Sequence, residues 1–166
     1  MKKIQLKQVL RNKRFVLFTI ILPIGWYIFF DQLQKGVSPS ILLGIAVFIG
    51  VIGNSLATFS KRIASDIGFY SFESHFTSYS VKNYLWDQSI VQLILNSLIF
   101  LAVLVVAVLG FHFPVTTSLL VQFFLLSLMG IYFSVIGFVL GVRVDAKTID
   151  TIGFPVIILA AMTIIP

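Results

Sequence analysis

Cysteine is absent from the 166 residues, which removes disulfides, thiolate metal sites and cysteine nucleophiles from consideration. Charge is scarce as well. Asp, Glu, Lys and Arg make up 11% of the chain, against about a quarter of a soluble domain. The two histidines, His75 and His112, fall in different polar segments. No H-E-x-x-H, no paired carboxylates on one face and no G-x-S-x-G occur. The G-x-x-x-x-G-K-[ST] phosphate loop is missing too. The chain is therefore expected not to be an enzyme and to bind no cofactor or metal, and any ATP it depends on is hydrolysed by another polypeptide.

Apolar residues are abundant: 58% of the chain, with seventeen Phe and a mean hydropathy of +1.04. A core of this size cannot bury that excess, because so short a chain leaves much of its surface exposed. The solvent must be lipid. The expected fold class is all-α, a polytopic transmembrane bundle forming a single domain over residues 1–166. Apolar runs at 15–30, 41–59, 89–110, 117–142 and 151–166 give about five spans. Counted from Thr151, the fifth would rise about 24 Å, short of a hydrocarbon core of about 30 Å. It is expected to be truncated. Residues 1–30 resemble a signal peptide, but no small-x-small cleavage site follows, so they read as a retained first span.

Topology follows from the basic residues. Lys2, Lys3, Lys7, Arg11, Lys13 and Arg14 precede the first span. Lys61, Arg62 and Lys82 lie between the second and third, and Arg143 and Lys147 between the fourth and fifth. With the N-terminus in the cytoplasm, every basic residue except Lys35 is inside. Localisation in the cell membrane is expected, with residues 60–88 as the main cytoplasmic loop. The net charge of +6 is concentrated beside a span, where it meets anionic lipid headgroups; no basic face on a folded module points to nucleic acid.

Small residues at Ser127, Gly130, Ser134, Gly137 and Gly141 share one face of the fourth span, and Ala46, Gly50, Gly53 and Ala57 make a similar line in the second. Such lines let membrane helices approach closely, so spans two and four are expected to pack on each other. The same face could instead slide or open during a transport cycle. Ser89, Gln92 and Asn96 open the third span on one face, and Asn54 lies in the second. These groups either bond between helices or line a path. Pro23 and Gly25 in the first span, and Gly153 and Pro155 in the fifth, are expected to bend their helices. No ionisable residue occupies the middle of any span, which disfavours a proton relay.

Two segments outside the spans carry patterns. Residues 1–14, with Ile4, Val9 and Leu10 among the basic residues, fit an amphipathic helix in the membrane interface, or a basic tail without structure. In the loop, Ile63, Ile67 and Tyr70 follow i, i+4, i+7 while Lys61, Arg62 and Asp66 take other faces. Phe69, Tyr70, Phe72, Phe76, Tyr79, Tyr84 and Trp86 crowd the same loop. They suit either anchoring at the interface or docking into a groove on a partner protein.

The basic N-terminal helix, the mid-span Leu22-Pro23-Ile24 and the loop from Ser60 to Leu95, with its Phe-x-Ser-Tyr-Ser-Val-Lys-Asn-Tyr-Leu, resemble ABC-2 type transporter permeases. Gly153-Phe154-Pro155 and Pro166 are similar to that family's fifth span. The family's usual Thr-Pro-hydrophobic turn is replaced here by Thr77-Ser78-Tyr79-Ser80-Val81. The resemblance implies six spans, pairing as a homo- or heterodimer, and association with cytoplasmic ABC ATPase subunits. It further implies a coupling helix docking through Lys61, Arg62, Ile63, Ile67 and Tyr70, and an interfacial elbow helix over Lys3 to Arg14. Family substrates range from drugs and peptides to polysaccharides, lipids and ions, mostly exported. The sixth span is unaccounted for, so a truncated or split permease is expected. The resulting expectation is the membrane subunit of an ATP-driven exporter. Its rivals are a small non-transporting membrane protein, such as an immunity or assembly factor, and a non-functional permease fragment.

Overall fold

The computed structural model describes residues 2–33, 36–76 and 80–164. Among these the chain is an all-α bundle of membrane type, and its elements follow the apolar runs of the sequence with three differences that matter for function.

The first concerns the start of the chain. Helix α1 (Lys2–Arg11) turns at Asn12 into α2 (Lys13–Val16), a π turn (Leu17–Ile21) and α3 (Leu22–Leu33). Pro23 has no amide hydrogen to give, and the helix widens just ahead of it, with the Leu22 N–H reaching Leu17 O. A π turn thus directly precedes Leu22 and Pro23. Helix α1 does not stand apart from the bundle. Its Val9 is buried on Val91 and Leu95, with Leu6, Val16 and Ile20 around them, while Leu10 faces outward.

The second difference is length. Helix α4 (Pro39–Ile52) starts with proline in its first turn, where a missing N–H costs nothing. It passes through a second π turn (Gly53–Phe59) straight into α5 (Ser60–Phe76). The expected boundary after Phe59 does not exist, because Ser60 to Ile67 contains neither Gly nor Pro to stop the helix. The Ser60 hydroxyl folds back onto the Leu56 carbonyl and leaves the rod intact. At the other side of residues 77–79, helix α6 (Val81–Phe111) begins well ahead of the expected Ser89, because Ser80 caps it by accepting from the Asn83 N–H at 3.3 Å. Most of what reads as a loop over 60–88 is thus helix.

Third, the spans differ in reach. Pro39–Gly68, Lys82–Phe111 and Ser118–Arg143 are long and apolar enough to cross a membrane, whereas the apolar helix Thr19–Leu33 is shorter. Helix α7 is Ser118–Arg143, and α8 (Ala146–Ile164) contains Pro155 and starts five residues before the expected Thr151. Its start is set by Asp145, whose carboxylate accepts from the Thr148 N–H at 3.0 Å and hydroxyl at 2.6 Å. These bonds to the ionised form hold the Asp145 carboxyl below its ordinary range.

The core is apolar and lies toward one end, with Tyr27, Leu42, Leu43, Val47, Ile99 and Val103 at its centre. There Tyr27 meets Phe111 edge-on at 5.5 Å, and Gln122 Nε2 donates to Ser40 O at 2.8 Å. His112 closes α6 in a left-handed conformation, φ 52°. The opposite end gathers α1, α5, the start of α6 and the start of α8. It holds most of the basic residues and is called the basic end below.

Candidate functional site

Span two supplies two different faces to its neighbours, and they separate the two lines of small residues. A Cβ on Gly50 would lie 2.5 Å from Pro23 and 2.9 Å from Ile99. A Cβ on Gly53 would lie 3.2 Å from Ile157, and one on Gly153 would lie 3.0 Å from the Ala57 side chain. Ala46 is buried in the core. The line Ala46, Gly50, Gly53 and Ala57 therefore admits α3, α6 and α8. Span four packs instead on Val51, Ser55, Phe59, Ser60 and Ile63. A Cβ on Gly130 would press on Asn96 and lie 3.3 Å from Val51; one on Gly137 would run into the Ser55 carbonyl; one on Gly141 would lie 2.5 Å from Ser60 O and 2.7 Å from Ile63. Spans two and four do pack together, but through only one of the two expected lines. Ser127 is half-buried, and its hydroxyl returns to Phe123 O of its own helix at 2.7 Å.

Where span two meets spans three and four, five polar side chains come together inside the bundle. Asn54 Nδ2 donates to Asn96 Oδ1 at 2.8 Å. Gln92 Nε2 donates to Ser55 Oγ at 3.4 Å, and Ser55 Oγ lies 3.3 Å from Ser134 Oγ. Ser134 donates to Gly130 O at 2.6 Å. All five are buried, yet Asn54 Oδ1 and Gln92 Oε1 have no hydrogen-bond partner. Ser89, expected on the same face as Gln92 and Asn96, is exposed and bonds Leu85 O of its own helix at 2.8 Å. Gln88 takes its place, so the inward line of α6 is Gln88, Gln92 and Asn96 at steps of four. Ser55 and Gln88 escape a reading of the sequence that starts the third span at Ser89. Their signals were adjacency to Asn54 and a four-residue step before Gln92.

At the basic end, α5 carries the residues expected to dock. Ile63 is 1% exposed and packs with Phe59 and Tyr84. Arg62 turns inward, lying over the Phe59 ring at 5.1 Å and donating to Gln88 Oε1 at 2.9 Å. Lys61 is paired with Asp150 of α8. Ile67 is exposed at 38%, between Asp66 and the exposed Gly68. The Tyr70 side chain lies outside the described residues. The five expected docking residues thus divide: the first turn of α5 belongs to the bundle, and the free surface begins near Ile67. Among the described residues no group of His, Asp or Glu is arranged to hold a metal ion.

No family model matches the chain, and no solved structure matches it. A part of it is similar to a Bacillus subtilis (strain 168) protein described as "Putative transport permease YvfS", with 35% identity over 69 residues. The aligned part is 37% of this chain and 28% of that protein's length. The chain is thus a membrane-type helical bundle with partial similarity to a transport permease.

Proposed function

We propose that the chain is a membrane-spanning subunit of an ATP-binding cassette exporter, with the N-terminus and α5 in the cytoplasm of the cell and ATP hydrolysed by a separate subunit. A second permease subunit, identical or not, completes the transporter. The observation that carries this reading is the uninterrupted rod from Pro39 to Phe76. It runs from the apolar core past the exposed Ile67, Gly68 and Ser71, and a rigid helix passes a push on that part directly to the residues beneath α7. The partial similarity to a transport permease supports the same reading. The asymmetric placing of Lys and Arg supports the orientation.

The experiment is co-purification from native membranes in mild detergent, comparing wild type with Ile67→Asp. An ATP-binding cassette ATPase, identified by mass spectrometry, is expected with wild type and is lost with Ile67→Asp, while both variants elute at the same volume. Absence of any such ATPase from the wild-type preparation overturns the proposal.

A further inference from the structure

We propose that Asn54, Ser55, Gln92 and Asn96 form a binding site for an uncharged hydrogen-bonding group, uncovered when α7 moves away from span two. The site needs no ATPase and stands apart from the exporter reading.

Three observations converge on it. Asn54 and Gln92 are 0% and 2% exposed, and each keeps a side-chain oxygen without a partner. In hydrocarbon such a group is costly to leave unpaired, and a guest that donates hydrogen bonds would satisfy both. Beneath α7 the floor of the site is firmly joined, since the 2.8 Å bond from Asn54 to Asn96 ties span two to span three. Its cover is different. Helix α7 meets the cluster itself through the small residues Gly130, Ser134 and Gly137. Its large side chains pack elsewhere along the helix, Phe123 on Phe100, Phe133 on Phe48 and Phe138 beside Phe59 and Ile63. The Ser55 hydroxyl reaches Ser134 Oγ at 3.3 Å and Gly130 O at 3.5 Å, both at the long end of hydrogen-bond range. Both ends of α7 lead into non-helical chain, at 112–117 and at 144–145. A helix that covers the cluster with small residues and is joined to its neighbours by non-helical chain can lift from the cluster as a unit.

The chemistry of the guest follows from the residues. Amides and hydroxyls both donate and accept, and no ionisable side chain belongs to the cluster to neutralise a charge at this depth. A hydroxyl or amide fits; a carboxylate or ammonium does not.

Native cysteine is absent, so single cysteines report without background. A thiol held in apolar surroundings stays protonated and unreactive. Ser55→Cys and Val47→Cys are compared in intact membranes with the uncharged 2-hydroxyethyl methanethiosulfonate; both positions are 0% exposed, and Val47 lies in the apolar core. The Ser55→Cys variant is expected to react at least about tenfold faster, and adding Gly137→Ala, which wedges α7 against the Ser55 carbonyl, raises its rate further. Equal rates at the two positions overturn the proposal. A fast Ser55→Cys rate that Gly137→Ala leaves unchanged overturns the α7 route.

Discussion

Asn54 and Asn96 are 42 residues apart in sequence and joined by a single 2.8 Å hydrogen bond between buried amides. That bond links span two to span three at a depth where water cannot compete. Interhelical hydrogen bonds in membranes contribute about 0.6 kcal/mol on average and up to about 1.7. A double-mutant cycle with Asn54→Leu and Asn96→Leu, read by thermal unfolding in detergent, is expected to return a coupling of about 0.5–1.5 kcal/mol. A coupling near zero would mean that each amide finds another partner as readily.

The glycines of the chain should not be equivalent. A Cβ on Gly137 meets backbone, which cannot yield as a side chain does, whereas Gly25 has open space around it. Overpacking of this kind costs about 1–3 kcal/mol. Gly137→Leu is expected to lower the melting temperature and to spread the elution profile, while Gly25→Leu leaves both unchanged. Similar losses at the two sites would refute the packing of α7 described here.

Ile63 and Ile67 are one helical turn apart and have opposite fates. Ile63 is buried against Gly141 and Phe59, so Ile63→Asp places a carboxylate in an apolar contact and destabilises the bundle by several kcal/mol, an order of magnitude set by the loss of a large side chain and the burial of a charge. Ile67→Asp leaves thermal stability within about 0.5 kcal/mol of wild type, as surface substitutions usually do. Melting curves of the two variants side by side provide the check.

Asp145 caps α8 with two bonds to Thr148, and its carboxyl titrates below the ordinary range. A carboxylate with a depressed folded pKa adds stability above its unfolded pKa of about 3.9, and that contribution fades as pH falls through the folded value. Asp145→Ala is expected to be less stable than wild type at neutral pH, with the gap closing on acidification below about pH 4. Melting temperatures measured from pH 7 downward test this; a gap that persists in acid would assign the loss to packing.

Much of this was legible in the sequence because lipid imposes one rule: a run of about 20 apolar residues becomes a helix that satisfies its own backbone. The small-residue face of α7 was legible for the same reason, since position around a straight helix is fixed by spacing alone. Span two was harder. Its second π turn, Gly53–Phe59, contains no proline and gives no warning. Ile63 and Ile67 share one line of α5, and spacing cannot say where along that line the bundle ends: Ile63 still meets Phe59, Tyr84 and Gly141, whereas Ile67 is exposed. The start of α6 was missed for a simpler reason: Ser80 carried the cap signal, but hydropathy begins only later. Partners without a sequence signature, such as the Gln88 amide beneath Arg62, become visible only once two distant helices are brought together.

A π turn is an α-helix that has accepted one residue too many. Removing a single residue from Gly53–Phe59 would restore the regular ladder and swing everything downstream by about 100°. Arg62 would leave Gln88 and Ile63 would leave Gly141 and Tyr84, while no side chain beyond the deletion had been altered. A one-codon deletion in this stretch would therefore act as a rotation of the whole basic-end helix, and the sequence lengths of relatives between these residues would record which rotation each one uses.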